Sequence, residues 1–353
     1  MTTSVTGAEP AARGPVSGRG WRTDLKYRVP GRYVAGWAAL VLLIVVVAAT
    51  EPAALGAGSI RSVTALAGVL ALASLGQMLI VMLGAIDLSV PAIMAASAGI
   101  AVHYGLPGAN LALVILSALV VAVLISVFNG ALISILRLNP LIVTLATFGI
   151  VTGAILLWTG VSFSMTGQAP ATLRAVATWS LLNLNACFLF AVVVAIVLAA
   201  VLHRTRAGKQ VAAVGSNRRA ARALGVRVTA VELSTFAAAG LLYGLAGVLL
   251  AGFVGTPNST VGAPYQLATV TAIAIAGGIL SGGPASVATV VGASVFLQLL
   301  EQALVIAGLS AGSRVIIQGV ALALAVAAIT LGRFGVSGLR HGGRFLGALT
   351  RSA

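Results

Sequence analysis

Polar and ionisable side chains set inside long apolar runs are where this sequence could do chemistry, because a charge at the centre of a bilayer costs roughly 2.5 to 3.5 kcal/mol on insertion scales. Glu301 and Gln302 stand side by side within such a run, with Gln298 a turn earlier. A carboxyl there is either protonated and hydrogen-bonded between helices or open to a polar pathway, and the pathway is the expectation. Gln77 and Asn129 are further pathway candidates. So is Phe128, whose ring could stack on a sugar face, although ordinary packing accounts for it as well. Asp87 and Ser89 fall at a turn, where they are expected to cap the short helix that follows rather than to hold solute or ion. His103 reads as interfacial.

No Ser/His/Asp arrangement, metal-ligand pair or carboxylate dyad emerges, and the single cysteine, Cys187, allows neither an intrachain disulfide nor a Cys-based metal cluster. A phosphate-cradling loop needs Gly-x-x-x-x-Gly-Lys-Ser/Thr. Gly208-Lys209 comes closest, with His203 in place of the first glycine and Gln210 in place of Ser/Thr. The chain is thus read as carrying no catalytic residue, metal or cofactor, and as borrowing its energy from a partner if it pumps.

The elements that must position these residues are transmembrane helices. A mean hydropathy of +1.10, with 59% hydrophobic and 8% charged residues, excludes an ordinary soluble domain. The formal charge of +15 would suggest nucleic acid in a soluble protein. Here nearly all the basic residues lie in the two tails and one central stretch, so cytoplasmic orientation accounts for them and no nucleic-acid partner is expected. Arginine in excess of lysine and abundant alanine point to a GC-rich genome and a bacterial inner membrane.

Hydropathy and turn residues place spans near 33–49, 59–83, 90–104, 109–136, 141–158, 186–202, 233–253, 265–280, 285–307 and 314–331. The expected fold is an all-α polytopic membrane protein of about ten helices, some short or broken, with both termini in the cytoplasm. Residues 1–32 form a disordered basic tail, 33–331 the membrane domain and 332–353 a second basic tail. Gly240, Gly244 and Gly247 at close-approach spacing are read as intramolecular packing.

Between His203 and Glu232 lies the longest polar stretch between apolar flanks. Gly215-Ser216-Asn217 supplies a turn and an N-cap, Arg218 to Leu224 two helical turns, and Gly225 a stop. At helical spacing Arg218, Arg219 and Arg222 cluster on one side, with Ala220, Ala221 and Leu224 on a smooth opposite side. Two readings stand for this short helix: a positively charged anchor on anionic membrane lipids, or a docking element for a soluble partner.

Four stretches together resemble the permease subunits of bacterial ATP-binding-cassette importers of the ribose and simple-sugar type. The first is Gly84-Ala85-Ile86-Asp87-Leu88-Ser89-Val90, similar to GGIDLSVG, with Ala85 and Pro91 where glycine is usual. The second is Asn139-Pro140-Leu141-Ile142-Val143-Thr144-Leu145, similar to a proline followed by FIVTL. The third is Gly215-Ser216-Asn217 with Ala220-Ala221-Arg222 and Gly225-Val226, similar to GxNxxAARxxGI. The fourth is Gly277-Gly278 with Leu280-Ser281-Gly282-Gly283-Pro284-Ala285, similar to LxGGxGS, with Ala285 for a glycine. The resemblance spans most of 59–331.

It implies a second permease copy or paralogue, two cytoplasmic ATPase subunits that bind the ATP, and an extracytoplasmic solute-binding protein. It tips the central helix toward ATPase coupling through Ser216, Asn217, Arg218, Arg219, Ala220, Ala221, Arg222 and Gly225. Asp87, Ser89, Pro140, Thr144, Gly282 and Gly283 become structural motif residues. Arg218 and Arg219 depart from the acidic residues usual there, and Glu301-Gln302 from the usual asparagines. The implied function is import of a small polar solute, most simply a monosaccharide. A nucleoside, autoinducer or branched-chain amino-acid importer stands as the alternative, and an ion-coupled secondary transporter as the rival class.

Overall fold

A computed structural model describes residues 31–106, 108–159, 167–280, 282–324 and 327. The two expected tails, up to residue 30 and from 332 on, lie outside the described residues, as do Ser281 and the end of the tenth span. The described helices are α1 (Gly31–Thr50), α2 (Ala57–Met82), α3 (Val90–His103), α4 (Leu111–Ser134), α5 (Pro140–Thr159), α6 (Ala171–Thr178), α7 (Ala186–Arg204), α8 (Arg206–Ser216), α9 (Arg218–Ala223), α10 (Val228–Val254), α11 (Tyr265–Ile275) and α12 (Val287–Ile306). A last described helix, α13, covers Ala311–Leu324. Seven of these are long and apolar enough to cross a membrane. Three shorter apolar helices, α3, α11 and α13, stand where the remaining expected spans lie.

α2 is the central helix, buried from Val63 to Met82 apart from Leu66. It is apolar all round because other helices surround it, so no amphipathic stripe is needed. α10 packs on α2, α3 and α4, while α12 and α7 close the other sides of α2. The α10 glycines make this closeness possible. A Cβ at Gly240 would lie 2.6 Å from Ser126 Cβ and one at Gly244 2.8 Å from Ala122 Cβ. One at Gly247 would strike the Met94 carbonyl. Ser126 Oγ then donates to the Phe236 carbonyl at 2.7 Å, tying α4 to α10. The glycine pattern therefore serves packing within the chain.

The order long, short, long recurs: α2, α3 and α4 have 26, 14 and 24 residues, and α10, α11 and α12 have 27, 11 and 20. α2 ends, and α10 begins, at the side of the bundle that carries α8 and α9, so the two sets run in opposite senses. We call that side the basic end.

The short helices are short because the chain re-enters the bundle before they start. After α2, Gly84 (φ +80°) turns the chain, with Ala85 N–H donating to the Ile80 carbonyl at 3.3 Å. Residues 85–87 then run back along α2 as far as Gln77, about 7.5 Å from its end at 1.5 Å per residue. α3 starts from there and needs fewer residues to reach the far end.

At the far end, the hydropathy pattern places no span between 158 and 186. The described part contains α6 and a hairpin, β1 (Ser180–Leu181) with β2 (Leu184–Asn185), pairing Ser180 with Asn185 and Leu181 with Leu184. Its turn residues, Leu182 and Asn183, both have positive φ, as a two-residue turn of this hand demands. Asn185 then caps α7, its Oδ1 accepting from Cys187 N–H at 2.8 Å.

Candidate functional site

Five of the polar residues singled out from the sequence, Gln77, Asp87, Ser89, Asn129 and Thr144, converge on the α2–α3 break. The side-chain amide of Gln77 spans the backbone of Asp87, donating to its carbonyl and accepting from its N–H, both at 3.1 Å. It also donates to Tyr243 Oη of α10 at 3.1 Å. Asp87 Oδ1 accepts from Ser89 N–H (2.8 Å) and Ser89 Oγ (2.5 Å). Asn129 Nδ2 donates to Ser89 Oγ (2.9 Å), and Asn129 Oδ1 accepts from Thr147 Oγ1 (2.6 Å). Leu88 N–H donates to Thr144 Oγ1 at 3.0 Å. One chain of hydrogen bonds thus joins α2, α3, α4, α5 and α10 where α3 begins.

Gln77 and Asn129 are fully buried in this network, so neither side chain faces an open path in this conformation. Ser89 occupies the N-cap position of α3, but its hydroxyl makes no capping bond because the Asp87 carboxyl takes it. Among the described residues Asp87 Oδ2 is buried without a partner. Pro140 opens α5 next to Asn139, whose Oδ1 accepts from Leu141 N–H at 2.9 Å.

Phe128 departs from expectation. It is 55% exposed and faces outward from α4, because Gly130 and Asn129 take the inward positions. Its ring therefore points away from the interior of this chain. Glu301 differs too. Its Oε1 lies 3.3 Å from Arg314 Nη1 and its Oε2 accepts from Gln318 Nε2 at 2.9 Å, both on α13. The carboxyl is engaged between helices, while Gln298 and Gln302 are half-buried on α12. Glu301→Ala and Arg314→Ala should each lower the thermal midpoint of the purified protein. The charge-swapped pair Glu301→Arg with Arg314→Glu should recover most of the loss, with a coupling near 1 kcal/mol. A double variant no better than the sum of its parts would show that the pair contributes nothing.

At the basic end, the short helix expected from Arg218 to Leu224 is present as α9. Asn217 caps it by accepting from Ala220 N–H at 3.0 Å, and Gly225 (φ +81°) ends it as Val226 N–H bonds to the Ala221 carbonyl at 3.1 Å. The sequence reading missed the preceding amphipathic helix α8, capped by Thr205 Oγ1 at 3.3 Å from Gly208 N–H, with Val211 and Val214 buried. Thr205 followed by two apolar residues three apart was the available signal.

The faces of α9 need correcting. Ala221 is 2% exposed and packs into the bundle, whereas Leu224 is 82% exposed. Arg218, three residues before Ala221, shares its inward side, with Nη2 2.5 Å from Glu232 Oε2 of α10 and 3.4 Å from the Ser134 carbonyl of α4. Burial lowers the Arg218 guanidinium from its ordinary range, as do Arg137 and Arg222, and Glu232 opposes the shift. An arginine nonetheless stays charged at any physiological pH, so Arg218 remains a cation beside Glu232. Arg219, Ala220, Arg222 and Leu224 are left on the outer face. A cavity of about 350 Å³ lined by Gly84, Ser134, Arg137, Arg218, Glu232 and Phe236 lies beneath the pair.

Three motif glycines meet beside it. A Cβ on Gly215 would overlap the Met82 carbonyl oxygen. One on Gly282 would lie 2.8 Å from the Gly215 carbonyl oxygen and 3.3 Å from Gly84 Cα. Gly283 N–H donates to the Met82 carbonyl at 3.1 Å. The first, third and fourth sequence motifs are therefore one contact, which seats α8 and hence α9 on the end of α2.

Residues 59–331 match the family described as branched-chain amino acid transport system / permease component. Among curated relatives, the autoinducer 2 import system permease protein LsrC of Enterobacter sp. (strain 638) is 30% identical over 263 residues, covering 73% of this chain and 75% of the relative. LsrC of Salmonella typhi is 31% identical over 265 residues, covering 73% and 74%. LsrC of Escherichia coli (strain K12 / DH10B) is 29% identical over 260 residues, covering 73% and 75%. No solved structure matches the chain. With its ordered motifs and multi-helix membrane fold, the chain belongs to this permease family, as a multi-pass bacterial inner-membrane subunit of an ATP-binding-cassette importer.

Proposed function

We propose that the chain forms the transmembrane pathway of an importer for autoinducer 2 or a chemically similar sugar-type solute. Two cytoplasmic ATPase subunits would drive it, a second permease copy or paralogue would face it, and an extracytoplasmic binding protein would deliver the solute. Likeness to the LsrC permeases over 73% of the chain supports the solute class. The observation that carries the mechanism is α9: a capped two-turn helix, anchored by Arg218–Glu232, that presents Arg219, Arg222 and Leu224 outward. ATP-linked movement of a docked partner would pass through that anchor to α10 and through Gly215 to α2.

The basic end is then cytoplasmic, together with both termini. In a Cys187→Ser background, Ser216→Cys should react with an impermeant thiol reagent only after the cells are permeabilised. Labelling in intact cells would reverse the orientation. The transport reading is tested in proteoliposomes holding the permease, its ATPase and its binding protein. Autoinducer 2 or D-ribose should accumulate with ATP and not without it. Uptake driven equally well by an ion gradient in the absence of ATP would overturn it.

A further inference from the structure

After α10 the chain does not stay at the far end. Gly247 of α10 abuts Met94 of α3, and Gly262 abuts Pro91 at the start of α3, in each case so closely that a Cβ would strike the α3 carbonyl. α3 and α10 run in the same sense, so Pro91 and Gly262 lie level with about Gly244, roughly 15 Å back from the end of α10 at 1.5 Å per residue. Residues 255–264 are therefore an irregular loop that descends to mid-depth before α11 starts at Tyr265.

Loop backbone at that depth is tolerated only where protein covers it or where it lines water, since exposed peptide groups in hydrocarbon have nothing to bond. Thr256, Asn258 and Thr260 are nevertheless exposed on this chain, and Gln266 in the first turn of α11 is half-exposed. Asn258 Oδ1 accepts from Thr260 N–H and Thr260 Oγ1, both at 3.2 Å, and among the described residues Asn258 Nδ2 has no partner. The Gln266 amide bonds to no described residue. Neither the loop nor that first turn carries a charged residue.

We propose that Asn258, Thr260 and Gln266 form a solute-contacting site on the re-entrant loop, on a water-lined face at mid-depth. The site takes an uncharged ligand bearing hydroxyl or carbonyl groups. Asn258 Nδ2 supplies donors and the Gln266 amide both donors and an acceptor, and a zwitterionic amino acid would meet no counter-charge there. This deepens the transport reading and rests on it for the identity of the solute. The site differs from the expected pathway set: Gln77 and Asn129 hold the α2–α3 break, and Glu301 is paired with Arg314.

The test uses the assembled importer in a Cys187→Ser background. Cysteines placed singly by Asn258→Cys, Thr260→Cys and Gln266→Cys meet a sulfonated methanethiosulfonate reagent, which needs a hydrated thiolate. Ile196→Cys, on the outward face of α7, is the lipid-facing control. The three positions should react roughly tenfold faster than the control or more. Saturating autoinducer 2 or D-ribose should slow them, and L-leucine should not. Asn258→Leu should cut uptake about three- to tenfold at unchanged expression, the loss expected for one hydrogen bond to a neutral group.

Loop cysteines as slow as Ile196→Cys, protection by L-leucine, or normal uptake by Asn258→Leu would each overturn the proposal. Failure of the underlying transport reading looks different. The unmodified importer would then take up neither probe, while the labelling rates, which need only water at the loop, would still separate from the control.

Discussion

Gly215→Val should leave little folded permease in the membrane. Gly215 is the last-turn residue of α8 that touches α2, and its missing side chain is what lets the Met82 carbonyl approach. That same carbonyl accepts from Gly283 N–H at 3.1 Å, so pushing α8 away also strains the loop before α12. Overpacking a tight contact commonly costs about 1 to 3 kcal/mol and more where backbone blocks backbone, as it does here. Since a folded domain holds only about 5 to 15 kcal/mol in reserve, such a loss is large. The comparison is Gly149→Val: Gly149, on the outer face of α5, has no neighbour near an added Cβ. The check is yield and thermal midpoint of the solubilised protein by gel filtration. Gly215→Val should be lost or melt well below Gly149→Val, and equal profiles would mean that α8 is not seated on α2.

That prediction could not have been made from sequence, although every residue in it was visible there. Gly84, Gly215 and Gly282 stood out as parts of three separate motifs, and each motif reads as local turn chemistry. Their meeting depends on the packing of α2, α8 and the loop before α12, which periodicity does not encode. Span positions were legible because length and hydropathy set them directly. The start of α10 at Val228 was less so, since Arg227 and Glu232 mask the first turn of an otherwise apolar helix. Glu232 was read as the edge of a loop, and its ion pair with Arg218 appears only once α9 folds back on α10.

The same limit explains the polar residues. Gln77, Asn129 and Glu301 are all amides or acids set in apolar runs, and a pathway is one of two ways to satisfy them. The first two are satisfied by the backbone and side chains of the α3 break, and the third by an arginine and a glutamine one helix later. The polar loop at 255–264 reads in sequence as an ordinary connection between spans. Its depth follows from Gly262 and Gly247 against α3, a tertiary fact.

Leu224→Asp should abolish functional pairing with the ATPase while leaving the permease folded. Leu224 closes α9 through its backbone, its N–H bonding to the Ala220 carbonyl at 3.1 Å, and its side chain is 82% exposed. A leucine held out beside Arg219 and Arg222 on a short, well-capped helix gains nothing from its own chain. Seated in an apolar groove it would gain about 1.5 to 3 kcal/mol, and an aspartate there would forfeit that and bring an unpaired charge. The loss corresponds to roughly a hundredfold weaker association. Arg219→Ala should cost little by comparison, since an exposed charge pair is worth about 0.2 to 1 kcal/mol. A bulky residue at Ala221 cannot serve the same purpose, because it would press into the bundle and disturb the fold. The measurement is ATPase co-purification and ATP-driven uptake in proteoliposomes, alongside the melting midpoint of the permease alone. An unchanged midpoint with ATPase binding and uptake both lost places the docking contact at the tip of α9. Full binding and full uptake by Leu224→Asp would leave α9 as a membrane-surface anchor and move the coupling contact elsewhere on the basic end.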